Sequence, residues 1–466
     1  MKRATCMGFF ALTTRKACAI GGARDLLTAP RMPPYKSIFL AVISALVATQ
    51  TGAAASLTLE QALSSVETTN LSVLLSREAA VQALAASNVQ RSALLPNVGL
   101  NAQQRRSETV SVSNTGVLNQ SGTGNRFDGK LTGSLSLLNP QQISAFRAAR
   151  AGVAVADADF QATLQSVMSS VAQIYFTHLR NLRRIAVLDA NIARARSLAD
   201  FAQKQFDAGV TTRIDVTRAL SQLAIAEQAR LQQDTVVYQS AVQLQRLLDL
   251  NPADPITLED FNVRQVMAGD FALGLDQSTF AKRADWLRQQ KVVEQAKLDV
   301  RTAKFERLPV LGANGEYGYA AVDAFNTDTK KAWFLGATVS LPVFDGLRAG
   351  ADKSAALSRQ RSQEARLHNL ELQISAELRL AQQDAGSRFA QIAVADKSFR
   401  LAEEQVRLAQ ARLGAGAADN RELIEAQNSL AIASDAVVDA VYQYNLSRVE
   451  LTRAKGDVKG ILSEKQ

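Results

Sequence analysis

The chain has 466 residues, 47% of them hydrophobic but only 6% aromatic. Long stretches rich in Ala, Leu, Gln and Arg have the composition of extended helices rather than of a mixed globular enzyme. The net charge of +9 sits mainly in residues 1–55, where seven Lys or Arg face one Asp. No basic run with interleaved aromatics occurs in the rest, so nucleic acid is not an expected partner.

Residues 1–55 read as a leader with a signal peptide. Lys36 precedes the apolar run Ile38 to Val47, and small residues end in Ala53-Ala54-Ala55 before Ser56. Met32 would begin a leader of ordinary length, which makes it a candidate true start. Both cysteines, Cys6 and Cys18, precede the apolar run, so disulfides, thiol chemistry and Cys-ligated metals are excluded from the mature chain. After Val47 no uninterrupted apolar run approaches the roughly 20 residues of a membrane helix. A membrane crossing by the mature chain must then be a barrel.

Two β-hairpins are predicted, at about 97–138 and about 310–341. In the first, Val98, Leu100 and Ala102 alternate with Gly99, Asn101 and Gln103, and Leu131, Leu135 and Leu137 with Thr132, Ser134 and Ser136. A polar Gly/Ser/Asn loop joins its strands. In the second, Leu311, Ala313, Tyr317 and Tyr319 alternate with Gly312, Asn314, Glu316 and Gly318, and Trp333, Leu335, Ala337, Val339 and Leu341 with Phe334, Gly336, Thr338 and Ser340. Period two marks strands with two unlike faces.

After each hairpin comes a long proline-free stretch, where a helix is sterically allowed. The first predicted helix runs from Gln141 to about Ala208, about 100 Å at 1.5 Å per residue; the second runs from Arg348 to about Leu413. Leu164, Met168, Val171, Tyr175, Leu182, Ile185 and Leu188 keep three-four spacing. Leu423, Leu430, Val437, Tyr444 and Leu451 recur every seven, beside Ala426, Ala433 and Ala440. Both read as coiled-coil seams, with ordinary bundle packing as the alternative. Gln203 to Ala226 aligns without a gap on Gln410 to Ala433, so the chain is an internal duplication, 56–255 and 256–466.

Four strands cannot close a membrane barrel, which needs at least about eight. Leu57-Thr58-Leu59-Glu60-Gln61-Ala62, Ser170 to Phe176, and Phe206-x-x-Gly209 followed by Asp215-Val216 and Ala219 resemble the outer membrane efflux protein family, of which TolC is the familiar member. The resemblance covers essentially residues 57 to 456. It implies a mainly α, TolC-like fold: a homotrimer whose coiled-coil helices form a periplasmic tunnel below a twelve-stranded barrel in outer-membrane lipid. It also implies docking on a periplasmic adaptor and an inner-membrane pump, in efflux or type I secretion. The competing reading is the adaptor itself, which predicts one helical hairpin flanked by compact β domains. An enzyme would need clustered catalytic groups, and a fibrous surface protein leaves the strands unexplained.

Candidate site residues lie at the two helix turns. Gly209 and Gly416 are placed to supply left-handed C-caps at the periplasmic tips. Acids follow: Asp215 in the first half, Glu422 and Glu425 in the second. By resemblance, Glu422 and Glu425 match acids on the inner helix of the tunnel entrance, where rings of three favour cations. Thr212-x-x-Asp215 and Asp419-x-x-Glu422 also have capping-box spacing, which offers helix capping as the other role. The family's latch arginine is replaced here by Ala418, with Arg421 or Arg213 as substitutes. Tyr317, Tyr319, Trp333 and Phe334 are candidates for an interfacial aromatic belt, ordinary strand packing being the alternative. The two histidines, His178 and His368, are assigned no function, and no catalytic, cofactor or metal site is expected.

Overall fold

The computed structural model describes residues 56–259, 280–417 and 420–463. The predicted leader and the position of Ala418 and Asp419 lie outside them. The order of elements is α1 (Leu59–Thr69), α2 (Leu71–Ser92), β1 (Asn97–Ser107), β2 (Val110–Val112), β3 (Leu118–Gln120), β4 (Gly124–Leu138), α3 (Pro140–Asp207) and α4 (Arg213–Leu247). There follow α5 (Ala284–Phe305), β5 (Val310–Ala321), β6 (Lys330–Ser340), α6 (Arg348–Gly414), α7 (Asn420–Lys455) and the short α8 (Gly460–Ser463). Among the described residues, two helical hairpins and one four-stranded sheet with a small two-stranded ribbon stand where the adaptor reading required compact β domains.

The long helices form where the proline spacing allowed them. Pro140 occupies the first turn of α3, where its missing N–H costs nothing, and Asn139 caps that turn by accepting from Gln142 N at 3.1 Å. α3 has 68 residues and α6 has 67, so each is about 100 Å long. α3 packs against α2, α4, α5 and α7, while α6 packs against α5 and α7. Toward the turns the helices share an alanine-rich cluster: Ala199 and Ala202 of α3, Val216 and Ala219 of α4, Ala402, Val406 and Ala409 of α6, and Ala426, Leu430 and Ala433 of α7. Small side chains let these helices approach closely. Above the cluster, Arg184 pairs with Asp435 at 2.8 Å and Arg180 with Asp439 at 3.6 Å, tying α3 to α7. The predicted stripe on α3 departs at Leu182, which is 37% exposed; the buried positions there shift to Phe176, Leu179 and Asn181.

The sheet order is β1-β4-β5-β6, antiparallel throughout. The two hairpins therefore fuse side by side through β4 and β5. A bulge between Ser136 and Leu138 brings Leu138, rather than Leu137, opposite Leu311. The loop read as merely polar contains a second ribbon, β2 paired with β3, closed by Gly116 at φ 80°. Val110, Val112 and Leu118 supply the strand residues that the loop's Ser and Asn content obscured.

At mid-length the chain ties itself together. Thr58 and Gln61 form a reciprocal capping box at 3.1 Å each, opening α1. Leu57 bridges to Leu258, and the Tyr175 hydroxyl reaches the carbonyls of Leu57 at 3.0 Å and Glu259 at 2.8 Å. Leu63, Phe176, Leu244, Val458 and Ile461 fill the core around it. The duplication is visible in the caps: the Asn70 side chain donates to Leu247 O at 2.7 Å, and Arg283 donates to Ala454 O at 3.4 Å. Leu247 and Ala454 occupy matching places in the two halves. Asp249 (φ 55°) and Gly456 (φ 83°) match in the same way, each turning the chain just past a helix end.

Between α3 and α4 a polar cluster is buried. His178 Nδ1 lies 2.8 Å from Ser240 Oγ, which also accepts from Asn181 at 3.2 Å. Burial holds the His178 pKa below its ordinary value of 6.5. The unfolded chain therefore binds a proton first on acidification. His178 contributes stability fully above pH 6.5 and loses it as the pH falls toward the lower folded value. His178→Gln is expected to flatten thermal stability measured between pH 7 and 5, where the parent loses at most about 1.4 kcal/mol per pH unit from this group. A second expectation separates two glycines. A Cβ on Gly456 would meet Lys282 O at 2.7 Å, whereas nothing lies within 4 Å of one on Gly209. Gly209→Ala should cost only the left-handed conformation, about 1–2 kcal/mol. Gly456→Ala should cost clearly more, as seen by thermal unfolding in detergent.

Candidate functional site

The two helix turns are built alike. Gly209 N donates to Phe206 O and Val210 N to Gln205 O, both at 2.9 Å. Gly416 N donates to Leu413 O at 3.1 Å and Ala417 N to Arg412 O at 2.9 Å. Each pair satisfies the last carbonyls of a long helix in a Schellman motif, which needs a left-handed residue after the cap. Gly209 has φ 73° and Gly416 φ 68°, as the sequence reading required.

The acids that follow have unlike roles. Asp215 accepts from Thr212 Oγ1 at 2.6 Å, Thr211 Oγ1 at 2.9 Å and Thr212 N at 3.3 Å, and lies 3.3 Å from Arg218. Those hydrogen bonds, Thr212's first, hold its carboxyl below the usual range. Asp215 is a helix cap, and its charge is engaged by its own turn.

Glu422 accepts from Arg412 Nη1 at 2.8 Å, and the same guanidinium reaches Ala417 O at 3.4 Å. Arg412 was not singled out in the sequence, although a basic residue in the last turn of one helix facing an acid in the first turn of the next was a readable signal. Arg421, named as a substitute latch, pairs with Glu425 one turn along its own helix at 3.2 Å. Glu425 is 65% exposed and shares its stripe of α7 with Ile432. Glu422 and Glu425 are thus each matched by an arginine. Farther from the turns, Gln222 of α4 donates to Asn428 of α7 at 2.5 Å, a polar link between the two hairpins. A groove of about 440 Å³ beside the turn is lined by Arg194, Leu198, Phe201, Leu413, Leu423 and Gln427.

In the sheet, paired residues share a face, so the register sorts the aromatic candidates. Leu100, Leu131, Tyr317 and Trp333 form one row across all four strands, flanked by the rows of Val98 with Leu335 and of Tyr319 with Lys331. This face is apolar and exposed; Leu100 is 80% and Trp333 75% accessible. Phe334 belongs to the other face, in a row with Gly99, Thr132 and Glu316. Its ring lies over Gly336, where a Cβ would come within 2.5 Å of it. Of the four aromatic candidates, Tyr317, Tyr319 and Trp333 thus share the apolar face and Phe334 does not. His178 is the buried residue described above, and His368 lies on the surface 3.7 Å from Glu371.

Residues 74–249 and 277–457 match the model of a family described as outer membrane efflux protein, once for each half of the duplication. The chain is 25% identical over 301 residues to the outer membrane protein OprJ of Pseudomonas aeruginosa, covering 62% of this chain and 61% of that one. It is 25% identical over 379 residues to nodulation protein T of Rhizobium leguminosarum, covering 78% of each. Among solved structures it resembles the Campylobacter jejuni CmeC outer membrane channel, with TM-score 0.77 at 20% identity over 88% of this chain and 89% of that one. VceC of Vibrio cholerae gives 0.74 at 18% identity, over 86% and 96%. The fold is the TolC-like one these channels share, and the chain belongs to the outer membrane efflux protein family.

Proposed function

We propose that the chain is the outer-membrane duct of a tripartite export system. Three copies close a twelve-stranded barrel, and their helices form a water-filled tunnel across the periplasm that ends at the Gly209 and Gly416 turns. One observation carries this reading: a four-stranded sheet with one apolar exposed face and two unpaired edges, β1 and β6. Strands of 11 to 15 residues suit a bilayer, which needs about 9–11. Open edges are not tolerated in hydrocarbon, so the strands must pair between copies. No described helix is long and apolar enough to cross a membrane.

The helices support the same ring. Leu75 and Leu84 on α2 and Leu220 and Leu231 on α4 are exposed, and so are Leu372, Leu380 and Leu401 on α6. Unlike apolar surfaces on different helices favour a head-to-tail contact, which closes when the rotation permits. The groove beside the α6–α7 turn offers a seat for an adaptor's helices, and energy would come from the inner-membrane pump. The names of relatives span pyoverdine export and fusaric acid resistance, which suits a duct that contributes passage rather than chemistry.

Purified in mild detergent, the protein should have the mass of three chains and give discrete conductance in planar bilayers. A soluble, non-conducting monomer would contradict the duct. The matched pairs at the tip set a finer expectation. Arg412→Gln removes this ion pair from Glu422 and should raise cation over anion permeability by about two-fold, equivalent to ~0.4 kcal/mol. Glu422→Gln with Glu425→Gln should shift it the other way, with the trimer intact. Selectivity unchanged in both variants removes these acids from the pore lining.

A further inference from the structure

The register also orders the charges of the polar face, which lines the lumen in the duct reading. Toward the loop end of the sheet one row holds Gln103, Asp128, Ala320 and Lys330, and the next sets Arg105 directly opposite Arg126. Like charges facing each other across strands are destabilising, so this pair needs a compensating partner. Arg126 has one, donating to Asp128 from Nε at 3.0 Å and Nη2 at 2.9 Å. Lys330 lies 3.2 Å from Asp328, and Lys130, one row below Asp128, lies 3.1 Å from Glu316. Arg105 differs: its guanidinium donates at 3.3 Å to the neutral amide oxygen of Gln103, and among the described residues no carboxylate lies within ion-pair distance.

We infer that Arg105, backed by Arg126, forms an anion-binding ring at the outward mouth of the duct, its ligands being multiply charged phosphate- or carboxylate-bearing solutes. The inference rests on the duct reading, which places three copies of the pair around one lumen. Guanidinium forks match such oxyanions bidentately, and rings of Arg favour anions at close quarters. The mouth then carries the opposite sign from the acids at the helical tip. A polyvalent anion is held there, and a monovalent one passes.

The test is block of single-channel current by inorganic tripolyphosphate, added to one chamber at a time with the protein inserted from a fixed side. Block from the mouth side is expected at least ten-fold below the concentration needed from the tip side. Arg105→Gln should raise the half-blocking concentration at least ten-fold, and Arg105→Lys by less. Arg106→Gln, next in sequence but on the opposite face, should leave it unchanged. Equal block from both sides, or equal effects of the two glutamine variants, overturns the ring while the duct stands. A chain that never conducts overturns the duct and the ring together.

Discussion

A strand edge in hydrocarbon has no partner for its N–H and C=O groups except another strand, and each group left unpaired there costs several kcal/mol. That constraint organises this protein. In the proposed duct the apolar row of Leu100, Leu131, Tyr317 and Trp333 is the sheet's face for lipid, and the edge strands β1 and β6 need partners from other copies. Association then becomes a condition of membrane residence rather than an addition to it. Because β4 and β5 pair within the chain, the duplication presents one composite sheet and only two open edges.

Below the sheet the duplication is used asymmetrically. Both halves end their long helices with the same hydrogen-bonded turn, and both tie the start of one short helix to the end of another, through Asn70 in one half and Arg283 in the other. Arg283 is almost fully buried and also holds Asp285 and Glu377, so the second half replaces a neutral cap with an ionic one. In the proposed duct the difference at the tips bears on passage. The first half's Asp215 is spent on its threonines, whereas Glu422 and Glu425 in the second half each pair with an arginine. The field at the tip is set by paired charges rather than by carboxylates alone.

Much of the fold was legible because its signals are periodic. Proline spacing marked α3 and α6 to within a residue or so, and period two found all four long strands. Gly209 and Gly416 were readable because a left-handed cap needs glycine. Other features depend on who sits opposite, which one strand or helix cannot reveal. Phe334 reads as an interfacial aromatic until the register places it over Gly336, and Arg412 looks like an ordinary surface residue until the turn brings it to Glu422. The β2–β3 ribbon was hidden because three-residue strands are too short to show a period.

The claim that β1 and β6 pair between copies is open to a direct chemical test, since both cysteines of the chain lie in residues 1–55. Asn101→Cys on β1 would be combined in turn with Ala332→Cys, Phe334→Cys or Gly336→Cys on the same face of β6, and oxidised in outer membranes. The account predicts that at least one pair forms a disulfide between copies and gives denaturation-resistant dimers and trimers, with no larger species. Monomers at every pairing, or a ladder extending past the trimer, would contradict a closed barrel of three chains.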